Sequence, residues 1–214
     1  MKITKLGHCC LLIEEKSLRI LTDPGSFSTL QDSIKNIDII LITHEHQDHF
    51  HIPSVKTVLK NNPKARIMTN TAVGLLLEKE GIKYEILEEG QNKTQEGVLI
   101  EGFGTIHAEV YETIPRVQNT GYFISNRLYY PGDALHIPPK LPEILALPVA
   151  GPWLKISESF DFALACKPKI IFPVHDGGLK NTEITDRLSK IAFSPRKIFF
   201  QEMELGKTID FDKI

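Results

Sequence analysis

The chain of 214 residues has little cysteine: three in all, of which Cys9 and Cys10 are adjacent. That is no disulfide framework, and it predicts a reduced, cytoplasmic protein. Long hydrophobic runs are also missing. The apolar stretch Ile37–Thr43 is broken by Asp38 and falls far short of the ~20 residues of a membrane span. The opening residues Met1–His8 interleave Lys2 and Lys5 with a strand-like pattern and contain no apolar signal core. No charge of one sign dominates, since 25 Lys and Arg face 27 Asp and Glu for a net −2. Such a balance offers no basic field to nucleic acid or to an anionic membrane. There is no low-complexity run, no solenoid repeat and no linker-like segment. With 42% hydrophobic residues, the length suits one sizeable core, and residues 1–214 are expected to form a single domain.

What is present begins with short strand-like runs: Lys2–Leu6, Cys9–Glu14, Leu18–Thr22 and the isoleucine-rich Ile37–Thr43. Pro53 is suited to opening a helix from Ile52 that ends near Asn61-Asn62-Pro63. Ala65–Thr69 reads as a strand and Thr71–Glu80 as a helix closed by Gly81. A second group of strands follows at Tyr84–Leu87, Gly97–Gly104, Gly121–Ser125 and Leu128–Tyr130, with Asn126-Arg127 as the hairpin turn between the last two. Leu145–Val149, helix Ser157–Cys166, Lys169–Val174 and helix Thr182–Ile191 complete the pattern, with a turn at Ser194-Pro195. Mixed strands and helices in two similar halves suggest an α+β, four-layer αββα sandwich.

The eight histidines are unevenly spread, and four fall between positions 44 and 51. The segment Thr43-His44-Glu45-His46-Gln47-Asp48-His49 directly follows the apolar strand. In an extended segment His44 and His46 share a face, and a turn toward the helix at Pro53 would swing Asp48 and His49 to the same point. By chance, His-x-His-x-Asp-His should arise in on the order of one in a thousand chains of this composition. Metal binding explains these residue types: imidazole suits zinc, iron or manganese, and a carboxylate adds charge and hard oxygen. His107, Asp133 and His175 each stand at or beyond the end of a strand, where one rim of a sandwich gathers them. Together with the first motif they supply enough ligands for two ions.

The ordered set Thr43–His49, His107, Gly132-Asp133 and His175 resembles the metallo-β-lactamase superfamily of hydrolases. Gly7-His8-Cys9-Cys10-Leu11-Leu12-Ile13 and Leu21-Thr22-Asp23-Pro24 look like its opening strands. With Ala146–Gly151 and Pro168–His175, the chain is most similar to the L-ascorbate-6-phosphate lactonase-like branch. The resemblance implies the metallo-β-lactamase fold and a binuclear site: His44, His46 and His107 on one ion, Asp48, His49 and His175 on the other, Asp133 bridging. Position 133 holds Asp rather than the Cys of the lactamases proper, so the donor set has no soft thiolate. Zinc is expected first, with manganese or iron open. The implied reaction is attack by a metal-bridging hydroxide on a small, anionic ester, lactone or phosphodiester, with Asp48 orienting the nucleophile or relaying a proton.

Weaker expectations attach to nearby residues. Asp23 is read as accepting the second N–H of a ligand histidine, against a plain Asp-Pro-Gly turn. His8 and His136 are read as pocket candidates, His51 as a helix-entry residue, Cys9 and Cys10 as small core residues, and Trp153 as core. The expected partner is a small-molecule substrate, without membrane, and a homo-oligomer stays open. Two rivals remain: a non-catalytic metal-binding or sensing domain, and a nuclease of the same superfamily. The −2 charge counts against the nuclease, because gripping a phosphate backbone needs clustered Lys and Arg.

Overall fold

A computed structural model describes all residues 1–214. The first half contains β1 (Lys2–Lys5), β2 (Leu11–Glu15), β3 (Leu18–Thr22), β4 (Ile39–Ile42), α1 (Ile52–Asn61), β5 (Arg66–Thr69), α2 (Thr71–Lys79) and β6 (Glu85–Ile86). The second contains β7 (Asn92–Gln95), β8 (Val98–Phe103), β9 (Gly121–Ile124), β10 (Leu128–Tyr130), β11 (Ile144–Pro148), α3 (Ile156–Cys166), β12 (Ile170–Val174), α4 (Glu183–Phe193), β13 (Phe199–Phe200) and β14 (Thr208–Asp210). One sheet runs β14-β1-β2-β3-β4-β5-β6, the other β13-β12-β11-β10-β9-β8-β7.

The two sheets repeat one pattern. In the first, pairings from β14 through β3 are antiparallel and those from β3 through β6 are parallel. In the second, β7 through β10 pair antiparallel and β10 through β13 parallel. This makes β1 the counterpart of β8, and β3 of β10.

Side-chain alternation along each strand builds the layers. Ile39 and Leu41 of β4 point into a core of 23 buried residues that also receives Ile100, Tyr122, Ile124, Tyr130 and Phe172 from the other sheet. Ile40 and Ile42 point the opposite way, onto Val55 and Val58 of α1 and Val73 and Leu77 of α2. On the other side Leu145, Leu147 and Ile171 pack against Phe162 and Cys166 of α3 and Phe193 of α4. Each large aliphatic side chain so buried contributes about 1.5–3 kcal/mol. Helix, sheet, sheet and helix are therefore stacked in that order, the expected α+β arrangement.

Most expected elements appear within a residue or two. Three strands were not anticipated: β7, β13 and β14. β7 is a polar edge whose Asn92–Thr94 are exposed, while β13 and β14 are too short to show a period. The β9–β10 turn also shifts, since the left-handed residues are Ser125 and Asn126 (φ 56° and 54°) rather than Asn126 and Arg127.

Candidate metal centre

The Thr43–His49 segment is not extended. After β4 the chain bends and closes a turn in which His49 N–H and Phe50 N–H both donate to the His46 carbonyl, at 2.9 and 2.7 Å. His44 and His46 therefore meet through a bend, not through strand alternation, with ring centroids 4.8 Å apart. The Asp23-Pro24-Gly25-Ser26 turn clamps this loop from below. Ser26 N–H donates to the Gln47 carbonyl at 2.7 Å, and His51 N–H to the Pro24 carbonyl at 3.3 Å. Gly25 is required there, because a Cβ would stand 1.8 Å from the Asp48 carbonyl oxygen.

The second sheet delivers its side chains singly. His107 lies beyond β8, its loop tied down by His107 N–H to the Val117 carbonyl (2.9 Å) and Ala108 N–H to the Asp133 carbonyl (2.8 Å). Asp133 follows β10 and is fixed by its own N–H on Asn119 Oδ1 at 3.0 Å. Gly132, at φ +65°, makes that turn where a Cβ would strike Asn119 and Thr43. His175 leaves β12 in the left-handed region (φ 62°), a conformation that costs a non-glycine residue on the order of 1–3 kcal/mol and persists where the surroundings hold it.

All seven residues converge. Ligand-type atoms of His44, His46, His107 and Asp133 lie within 4.8 Å of one another, as do those of His8, Asp48, His49 and His175. Asp133 stands between the sets, with Oδ1 3.1 Å from His49 Nε2, and Oδ2 2.8 Å from His175 Nε2 and 3.4 Å from His107 Nε2. The Nε2 atoms of His44, His49, His107 and His175, and Asp133 Oδ1, are buried without an aligned hydrogen-bond partner. Orphaned donors and acceptors of this kind carry a desolvation cost that a cation would relieve, so the residues fit bound metal.

Several of the candidate rings are oriented from behind. His49 Nδ1–H donates to Asp23 Oδ2 at 2.8 Å. Asp23 also accepts from Thr43 N–H and Thr43 Oγ1, both at 2.8 Å, and from the Tyr130 hydroxyl at 2.6 Å. Because the Thr43 proton is committed to Asp23, Thr43 Oγ1 accepts from His44 Nδ1–H at 3.0 Å. His107 Nδ1–H donates to the Ala108 carbonyl at 2.6 Å. In all three rings it is Nε2 that faces the centre, with Nδ1–H committed behind.

Electrostatics agree with this. Burial drives His44 well below the usual imidazole value, and His46 is lowered by burial and by His107. For Asp48, burial works upward but the His8 hydrogen bond and the His49 charge outweigh it and hold the carboxyl down at about 2. The buried His49–Asp133 pair resists burial together: Asp133 keeps His49 protonated and His49 keeps Asp133 ionised, in the absence of a cation.

Other expectations divide. His51 caps the entry to α1 and bonds Ser54 Oγ at 3.0 Å. His136 is exposed on the wall of a cleft of about 470 Å³ that also includes Ile106, Arg116, Leu135 and Trp153. Trp153 is buried, as a core residue would be, but it is not remote from the chemistry: its Nε1–H donates to Asp133 Oδ2 at 2.9 Å. Cys9 and Cys10 are buried and free, and Cys9 is nonetheless beneath the site, its sulfur within 4.8 Å of ligand-type atoms of His49 and Asp133. Thr43, Asn119 and Tyr130 were not anticipated. Thr43 opens the motif without a role assigned to it, while nothing local marks the other two.

Fold and site define the class: a metal-dependent hydrolase with the metallo-β-lactamase fold. Residues 2–175 match the Beta-lactamase superfamily domain, and the chain belongs to that family. Protein Rv0786c of Mycobacterium tuberculosis is 34% identical over 180 residues, 82% of this chain and 84% of that protein. A UPF0173 metal-dependent hydrolase of Thermoplasma acidophilum is 25% identical over 189 residues, covering 82% and 83%. Igni18, a metallo hydrolase of Ignicoccus hospitalis, shares the fold at a TM-score of 0.77 over 98% of both chains, with 21% identity. No helix is long and apolar enough to cross a membrane.

Proposed function

We propose that this hydrolase uses two divalent cations to cleave a small, anionic ester, lactone or phosphodiester. The observation that carries this reading is Asp133, whose two oxygens reach histidine nitrogens of two separate sets, 3.1 Å to His49 and 3.4 Å to His107. A carboxylate so placed supports sharing between two ions. His44, His46 and His107 would hold one, Asp48, His49 and His175 the other, and Asp133 both. A donor set of nitrogen and oxygen suits zinc first, and also manganese or iron. Such a pair, when bound, supplies Lewis-acid polarisation of the scissile group and a water acidic enough to act as nucleophile near neutral pH.

The chain's own groups complete the chemistry. Asp48 is ionised across the working range and its side chain is 24% exposed, so its carboxylate can accept a hydrogen bond from a water and orient it. Trp153 holds Asp133 and walls the cleft, and the Arg116 Nε–H is anchored on the His107 carbonyl at 2.7 Å. Glu109 and Glu158 offset the charge of Arg116 in the lining, so the preference for anions rests on the metal pair, whose charge Asp48 and Asp133 only partly cancel. The net −2 charge supports a small molecule over nucleic acid, and three free, buried cysteines support a reduced, cytoplasmic setting.

The test is metal analysis with an activity screen of protein loaded separately with zinc, manganese or iron. The panel holds lactones (phosphorylated ones included, after the lactonase-like resemblance), thioesters, and phosphate mono- and diesters. Two equivalents of metal and turnover of an anionic member are expected. One equivalent, or turnover confined to neutral substrates, overturns the reading.

A further inference from the structure

Distance alone would make His8 a sixth histidine ligand, because its ring joins Asp48, His49 and His175 within 4.8 Å. Its hydrogen bonds say otherwise. His8 Nδ1 accepts the backbone N–H of Gly177 at 3.0 Å. A ring nitrogen that accepts has no proton, so the proton of His8 is on Nε2, the atom that faces the site. This arrangement is opposite to that of His44, His49 and His107, whose Nδ1–H groups donate away from the site and turn Nε2 toward it as the atom a cation would take.

The arrangement is built rather than incidental. His8 is 2% exposed, and its carbonyl accepts the His175 N–H at 3.1 Å. Gly177 lies so close that a Cβ there would stand 2.9 Å from His8 Cβ and 3.1 Å from Nδ1. The ring packs at a 58° tilt against His175, centroids 4.1 Å apart, and meets Phe27 edge-on at 5.4 Å, so neighbours hold it on two sides. On the site side, Nε2 is buried without an aligned hydrogen-bond partner, and Asp48 Oδ2 stands 3.2 Å away, where a small turn of the carboxylate brings it onto the Nε2–H.

We propose that His8 is not a metal ligand but a positioning residue, whose Nε2–H faces Asp48 Oδ2, the oxygen that also stands 3.6 Å from His175 Nε2 and 3.9 Å from His49 Nε2, and so fixes the carboxylate against the second cation. The inference rests on the two-cation reading and adds the role of a residue outside its ligand set. Topology adds a second observation. His8 follows β1 as His107 follows β8, and these strands are counterparts in the two sheets. At matching places one sheet presents a lone pair and the other a proton.

The experiment is nitrogen NMR of protein carrying isotopically labelled histidine and loaded with NMR-active cadmium, which couples to the nitrogens that bind it. His8→Gln, whose amide N–H has similar reach, identifies the His8 signals by their loss. The expected result is cadmium coupling in five rings, with His8 uncoupled and protonated at Nε2. Coupling to His8, or six coupled rings, overturns the proposal and leaves the two-cation reading standing. No coupled ring at all overturns that reading and this inference with it. The count of coupled rings needs no variant, so it decides even if His8→Gln does not fold. In parallel, His8→Ala should weaken the second equivalent of metal by about 10–100-fold without lowering the saturating stoichiometry, and His8→Gln should restore most of the loss. A stoichiometry of one in His8→Ala that His8→Gln fails to rescue overturns the proposal.

Discussion

The first sheet sends four side chains to the rim, His44, His46, Asp48 and His49, from one turn after β4, whereas the second sends His107, Asp133 and His175 from three separate connections. The two sheets are alike in strand order, so the difference arises in the loops. In the first, one clamp aligns several groups: the Asp23–Ser26 turn grips the whole loop, and Asp23 alone orients His49 directly and His44 through Thr43. In the second, each group has its own brace, Asn119 for Asp133, the Ala108 carbonyl for His107 and a left-handed backbone for His175. Shared support makes one half vulnerable to remote change, while separate support makes the other half vulnerable one residue at a time.

The largest effect should come from the second half at the residue that serves both sets. Asp133→Ala is expected to bring hydrolysis to background and to lower metal content below two equivalents, read by turnover and metal analysis. Retention of both ions would show that the sets do not depend on a shared carboxylate. Next is Gly25→Ala, which touches no proposed ligand side chain. Its Cβ must displace the Asp48 backbone, and unfolding measurements should register a loss of about 1–3 kcal/mol together with weaker binding of metal. Unchanged metal binding in that variant would end the idea of a shared clamp.

Asp23→Asn keeps the size but replaces a charged acceptor, and should reduce metal affinity about 10–100-fold by titration against a competing chelator. An equal loss from a substitution at Asn119 would erase the contrast between the halves. The smallest signal is a proton count. Without metal, Asp133 holds His49 protonated, while His44 and His46 are already neutral and Asp48 and Asp133 already ionised. Loading at about pH 8 should therefore release at least one proton, from His49, in addition to any from ionisation of bound water, visible by calorimetry in buffers of different ionisation enthalpy, and affinity should rise with pH. The sign follows because the cation displaces a proton from a group whose value is raised. Proton uptake would contradict it.

The same contrast marks what could be read in advance. The Thr43–His49 cluster was visible because its members are neighbours in the chain, and the β4 periodicity located it at a strand end. His107, Asp133 and His175 were recoverable only with a family pattern in hand, since an isolated histidine or Gly-Asp pair has ordinary explanations. The bend at His46 is invisible in the sequence, because a turn closed by backbone hydrogen bonds to the His46 carbonyl leaves no periodic signal. Trp153 reads as core and Tyr130 as the end of a strand, and both are buried, yet their polar tips reach Asp133 and Asp23. Aromatic residues combine an apolar body with one donor, and a sequence shows only that both exist.

By itself the chain determined its layers and its donor types: alternating apolar strands dictate which faces are buried, and histidines with carboxylates dictate what a site can bind. Tertiary structure alone decided which nitrogen each ring offers. His8 and His49 are the same residue by composition, but one accepts the Gly177 N–H and the other donates to Asp23. The proton follows the partner behind the ring, and that partner comes from a distant part of the chain.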